Sequence, residues 1–153
     1  MQKVRIYCDG ACSPNPGIGG WSVVLLSDRH GRRMELSGAE ADTTNNRMEL
    51  LAAIRGLEAL KRRCQVEVWT DSQYVHNPFA KGWLDRWKAN GWRNAAKKPV
   101  ENQDLWHRLL ELGEVHEVQW RWVRSHATDV ENNRADALAV EARLRLAAEL
   151  RVR

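Results

Sequence analysis

Cysteine is scarce in this 153-residue chain and badly placed for cross-linking: there are three, Cys8, Cys12 and Cys64, an odd number with no CxxC spacing. That excludes a disulfide framework and offers no zinc pattern, so reduced and mostly buried thiols are expected. Long apolar runs are missing as well. None approaches the roughly 18 residues that a membrane span needs, which removes the membrane-spanning helical classes. The first residues, MQKVRIYCDG, run straight into a strand-like pattern, without the apolar stretch and small-residue cleavage site of a signal peptide; a cytoplasmic protein is expected. Phenylalanine occurs once against eight tryptophans, and there is no repeat, low-complexity segment or linker.

What is present fits one soluble domain over residues 1–153, with 43% apolar and 29% charged residues and enough length for one sizeable core. The net charge of +4 is too small to identify an acidic partner by itself; where the cations sit matters more than their sum. In "WLDRWKANGWRNAAKKP", residues 83–99, three tryptophans and five cationic side chains share seventeen positions. Such a segment is either a core helix with a charged back or a surface for something flat and negatively charged.

Residues 3–8 (KVRIYC) and 20–27 (GWSVVLLS) have strand character around the turn-rich DGACSPNPGIGG, and 32–40 (RRMELSGAE) can pair back across DRHG as a hairpin partner. TTNNRMELLAAIRGLEALKRR reads as a capped helix whose closing cations suit a helix C-terminus. CQVEVWTDS gives the next strand, and residues 72–112 give short helical pieces broken by HNP, NGW and KKP. VHEVQWRWV alternates, with Val118, Trp120 and Trp122 on one face, and residues 131–148 form a last helix. Three strands, a helix, a strand, helices, a strand and a helix imply an α/β fold with a mixed sheet flanked by helices.

Four carboxylates stand out. Asp9 in VRIYCDG and Asp71 in VEVWTDS each follow an apolar run, and ligand chemistry in open α/β sheets gathers beyond the carboxyl ends of strands. If the two strands are parallel neighbours, these aspartates lie side by side; alone, each could simply open a turn. Glu49 shares a helix face with Ala53, Gly56 and Leu60, opposite Arg47, Arg55, Glu58 and Arg62, so it points at the sheet, where an unpartnered charge is costly. Asp136 is expected to repeat this in the last helix, facing Ala139 and Val140, though Arg143 falls on the same side. Acids gathered without an internal cation point to divalent metal, and to hard ions such as Mg²⁺ because histidines and cysteines at zinc-like spacing are missing. Two such ions about 3.5 to 4 Å apart are the usual device for in-line attack at phosphate.

DGACSPNPGIGG, TTNNRMELLAAIRGLEAL, TDSQYV, GWLDRWKANGWRNAAKKPVENQDLW and WRWVRSHATDVENNRADALA, in that order over residues 9 to 142, resemble bacterial-type ribonuclease H of type I. The resemblance implies an RNase H-like fold with a five-stranded mixed sheet and a basic helical protrusion at about residues 81–99. It also implies Mg²⁺-dependent endonucleolytic hydrolysis of the RNA strand of RNA/DNA hybrids, with 5′-phosphate and 3′-hydroxyl ends. Two ions per site are expected with substrate, and Mn²⁺ is a possible substitute. The family's acidic quartet falls on Asp9, Glu49, Asp71 and Asp136, and its catalytic histidine on His126 of RSHATD, where Ser125 and Thr128 replace frequent glycines. His30, His76, His107 and His116 are left as surface or packing residues.

In the same terms Asn15, Asn46 and Gln73, with backbone near Cys12, would read the RNA 2′-hydroxyl, a task for groups that both donate and accept. Thr44 and Asn45 would hold a DNA-strand phosphate at a helix N-terminus, where backbone N–H groups favour anions. Lys88, Arg93, Lys97 and Lys98 would meet further phosphates while Trp83 or Trp87 stacks on sugars, giving sequence-independent affinity. A monomer is expected because no spare apolar helix face is evident. The rival functions are a non-catalytic hybrid-binding module, which loss of an acid would signal, and a DNA-cutting integrase or resolvase relative, which TTNNRMEL and the basic insertion disfavour.

Overall fold

The computed structural model describes residues 1–29, 31–124 and 129–152. Its elements are β1 Gln2–Cys12, β2 Gly17–Ser27, β3 Arg32–Thr43, α1 Asn45–Glu58, β4 Cys64–Thr70, α2 Gln73–Ala80, α3 Trp83–Asn90, α4 Gln103–Val115, β5 Glu117–Trp122 and α5 Val130–Val152. The sheet order is β3-β2-β1-β4-β5, antiparallel on the β1, β2, β3 side and parallel for β1/β4 and β4/β5. Among the described residues no helix is long and apolar enough to cross a membrane.

Strand alternation decides which helix covers which face. Val4, Ile6 and Cys8 of β1 and Val66 and Val68 of β4 pack with Leu50, Ile54 and Leu57 of α1 and with Trp106 and Leu109 of α4. On the opposite face Tyr7 and Val24 pack with Ala135 and Leu138 of α5. Trp106 is fully buried, with the rings of Tyr74, Phe79 and Trp87 5.6 to 6.0 Å away. Removing such a ring typically costs about 3 to 5 kcal/mol.

The α1 helix starts as its sequence indicates, Thr44 accepting from the Arg47 amide, but it stops at Glu58, ahead of the cations at 61–63. The chain has to turn into β4 by Cys64, and a tight turn from the Leu57 carbonyl to the Leu60 amide takes the place of the last expected helical residues. Of the histidines set aside, His116 is buried, its Nδ1 accepting from the Cys64 amide at 3.1 Å. Cys8 and Cys64 are buried and Cys12 half-buried, none in a disulfide.

Candidate active site

Tyr7 of β1 pairs with Trp69 of β4 in the parallel ladder, so Asp9 and Asp71, each two residues further on, emerge together at adjacent strand ends. Glu49 reaches them from α1. One carboxylate oxygen from each of Asp9, Glu49 and Asp71 lies within 4.8 Å of the other two. The approach of α1 depends on Gly10: a Cβ there would stand 2.5 Å from the Glu49 nitrogen and 2.6 Å from the Met48 carbonyl carbon. The same glycine donates its amide to Glu49 Oε1 at 2.8 Å. The sequence reading did not single out Gly10, although an Asp-Gly at the end of an apolar strand was a usable signal.

Electrostatically the cluster is strained. Asp9 and Glu49 are each 4% exposed. Burial, followed by the charges of Glu49 and Asp71, pushes the Asp9 carboxyl up to about 11. Glu49 is pushed up to about 8, burial again leading, with hydrogen bonds from Asp9 and the Gly10 amide opposing it. In the free protein Asp9 therefore keeps its proton and donates it to Glu49. Glu49 Oε2 is buried and has no N–H or side-chain hydroxyl partner, which leaves a shared carboxyl proton or a cation to satisfy it. Crowded oxygen donors with an orphaned carboxylate oxygen fit a hard divalent cation.

Asp136 departs from expectation. The helix phase predicts an inward-facing side chain, but it is exposed, and α5 buries Asn132, Ala135, Leu138, Ala139 and Ala142 instead. At 100° per residue Asp136 falls about 40° from Asn132 and about 100° from Ala135, at the margin of the packed stripe. From there it remains within hydrogen-bonding reach of Asp9, on the rim of the triad. His126 lies outside the described residues.

The residues expected to contact the hybrid fall on β1, the β1–β2 turn, and the starts of α1 and α2. Cys12 ends β1, its Sγ 3.6 Å from the Thr43 carbonyl oxygen. Asn15, exposed in the β1–β2 turn, accepts from the Asn45 amide at 3.0 Å. Thr44 and Asn45 are half-buried and Asn46 exposed, so the Thr44 hydroxyl and the Asn45 amide are already used in capping and bracing α1. Gln73 is exposed at the start of α2. A network the sequence did not reveal adjoins them: Arg47 donates to Asn102 and Asp104, and Asn102 donates to the Tyr74 hydroxyl at 2.9 Å.

In the protrusion, α3 is bounded by Gly82 and Gly91, both left-handed, at φ 70° and 78°. Trp83 and Trp87 of α3 and Trp92 beyond it are all half-buried. Trp87 is held among Trp83, Trp92 and Trp106, at 6.5, 5.8 and 5.6 Å, which makes it a packing residue, and Trp92 joins the same cluster and lies 4.4 Å from His107. Trp83 lines a cleft of about 520 Å³ with Trp87, Tyr74, Asn94 and Lys98. The exposed tryptophan is Trp122, at the end of β5. Lys88, Arg93, Lys97 and Lys98 are all exposed. Arg93 donates to the Lys97 carbonyl, and Asn94 Oδ1 accepts from the Ala96 and Lys98 amides, tying residues 93–98 into a tight turn.

A mixed five-stranded sheet with acids collected where two parallel strands end defines a ribonuclease H-like fold. Solved structures that match it include LC9-RNase H1, a type 1 RNase H with the type 2 active-site motif (TM-score 0.80, 32% identity, 94% of this chain and 72% of that one), and LC11-RNase H1, solved in complex with RNA/DNA hybrid (TM-score 0.69, 23% identity, 94% and 98%). In sequence the chain is 58% identical over 139 residues to the ribonuclease H of Ralstonia nicotianae, covering 91% of this chain and 90% of that one. It is 59% identical over 136 residues to that of Halorhodospira halophila, covering 89% of each. The chain belongs to the ribonuclease H family, whose model matches residues 1–143.

Proposed function

We propose that this protein is an endonuclease that hydrolyses the RNA strand of RNA/DNA hybrids, without sequence preference, leaving 5′-phosphate and 3′-hydroxyl ends. The observation that carries the proposal is the carboxylate triad, two of its members buried with like charge for neighbours, in a chain of the ribonuclease H family. Asp9, Glu49 and Asp71 hold the metal, Mg²⁺ or in its place Mn²⁺, and Asp136 completes the set from the rim. Bound there, a pair of such ions supplies activation of the attacking water and charge stabilisation at the leaving 3′-oxygen. His126 moves a proton at the water or the product, since imidazole titrates near neutral pH.

Selectivity divides between two grips. Asn15, Asn46 and Gln73, with backbone at Cys12, contact the RNA strand, where the 2′-hydroxyl distinguishes it from DNA. Thr44 and Asn45 hold one phosphate of the DNA strand, while Lys88, Arg93, Lys97 and Lys98 hold others and Trp83 meets the sugar surface. These contacts address backbone and carry no base information. The protein acts as a monomer in the cytoplasm.

Cleavage of matched RNA/DNA, RNA/RNA and DNA/DNA duplexes with Mg²⁺, and with chelator, tests the reading. Only the hybrid should be cut, only with metal, and Asp9→Asn and Asp71→Asn should abolish cutting. Full cleavage by either variant would sink the metal-site assignment; tight hybrid binding without cutting by the wild type would leave a binding module, and cutting of DNA duplex an integrase-like enzyme.

A further inference from the structure

Ser22 is fully buried on β2, directly across the strand pair from Asp9. Its hydroxyl donates at 2.5 Å to the carbonyl oxygen of Ala135, 113 residues away in sequence. The next residue of α5 is Asp136. Because Asp136 is exposed, packing of its own side chain does not fix it, yet it comes within hydrogen-bonding reach of Asp9. Its place is therefore set by how the α5 backbone lies on β2.

Besides the packing of Ala135 and Leu138 on Tyr7 and Val24, two residues of β2 meet the α5 backbone directly. At Gly20 a Cβ would collide with the Ala139 carbonyl and the Arg143 nitrogen, so the helix backbone rests directly on the strand. Gly20 permits the approach, whereas Ser22 directs it, since a hydrogen bond has angular preferences that bare contact lacks. A helix carbonyl keeps a second lone pair for such a donor. Nearby ties between α5 and β3, Glu131 with Arg33 and Arg134 with Glu35, are partly exposed ion pairs. Pairs of that kind hold position weakly and are screened by salt. A serine buried only for its size would need some acceptor, but not one adjoining a site acid while its own neighbour across the strands is another.

We propose that Ser22 is a positioning residue for the metal site: by holding Ala135 it sets the separation of Asp136 from Asp9, and with it the affinity of the site for divalent cation. The proposal rests on the acidic quartet of the proposed function. Mg²⁺ binding to the substrate-free protein is measured by titration calorimetry for wild type, Ser22→Ala, Ser22→Gly, Ser27→Ala and Asp136→Asn, with Tm, kcat and KM for hybrid in parallel. Ser27, at the far end of β2, accepts from Gln2, so its alanine variant removes a buried hydroxyl remote from the acids. Both Ser22 variants should bind Mg²⁺ about tenfold more weakly, the scale for losing a partner behind a metal ligand, with KM for hybrid unchanged at saturating metal. Ser27→Ala should keep wild-type Mg²⁺ affinity whatever its Tm. Wild-type Mg²⁺ affinity in the Ser22 variants, or an equal loss in Ser27→Ala, overturns the positioning role. Wild-type binding and cleavage by Asp136→Asn overturns instead the quartet on which it stands.

Discussion

Glu49 and Asp9 are held where a carboxylate is least welcome, and this makes the metal-free protein sensitive to alkali. Their native pKa values are raised above the ordinary 4.5 and 3.8, to about 8 and about 11, chiefly by burial. The native state then binds more protons than the unfolded chain above pH 4, so their contribution is full below that pH and is lost as pH rises through the native values. His116 slopes the other way: its pKa is lowered by burial and then by Arg63, so its contribution is present above 6.5 and lost on acidification below that. Between pH 6.5 and 8.5 the carboxyls therefore dominate. Chelator-treated protein should lose stability over that interval in urea denaturation, by up to about 1.36 kcal/mol per pH unit for each proton that only the native state holds. Asp9→Asn imitates the protonated carboxyl, keeping a donor for Glu49. It should flatten the slope and raise metal-free stability at pH 8.5 by about 1 to 2 kcal/mol while abolishing cleavage, a trade typical of active sites. An unchanged slope in Asp9→Asn would mean that these acids do not hold the proton assigned to them.

The elements differ in how far their sequences disclose them. The α1 helix was readable because Glu49 stands alone on an apolar face and Thr44 has a capping partner three residues on. The α5 helix was readable as a helix, but not in rotation, because its alanines give a weak stripe and place Asp136 at the edge of the packed face. In the protrusion the cations were evident and the ring packing was not, since "NG" hides the fact that Trp92 folds back so that its amide meets the Trp87 carbonyl at 2.7 Å. The turn that follows carries a cost no composition reveals: Lys97 sits at φ 63°, a left-handed conformation that favours glycine. Lys97→Gly and Lys97→Ala remove the same charge, but only glycine relieves the backbone, by about 1 kcal/mol. Both variants should weaken hybrid binding to a similar degree and reduce the slope of log affinity against log salt by about 1, with kcat at saturation little changed. In thermal denaturation Lys97→Gly should be the more stable of the two. A large fall in kcat for either would show that the turn serves the chemistry and not only the grip.

At the scale of the molecule the site is a junction, and this is why so much of it could be inferred from patterns and so little of its bracing. The pairing of β1 with β4, under α1, brings two strand ends and one helix face together from signals local to each element, whereas Arg134 on Glu35 or Ser22 on Ala135 joins residues about a hundred positions apart that carry no mutual mark. A cation held at the junction ties β1, α1 and β4 together, so binding is linked to global unfolding. At a Mg²⁺ concentration of a hundred times its Kd, native-only binding adds about 2.7 kcal/mol. For a chain of this size that is a rise in Tm of roughly 5 to 10 °C. Binding displaces protons from Asp9 and Glu49, so at fixed Mg²⁺ the rise measured by scanning calorimetry should be greater at pH 8 than at pH 6. It should vanish in Asp71→Asn, where the third carboxylate is lost. An equal rise in that variant would place the stabilising ion elsewhere on the surface, and an equal rise at both pH values would mean that the buried acids release no proton to it.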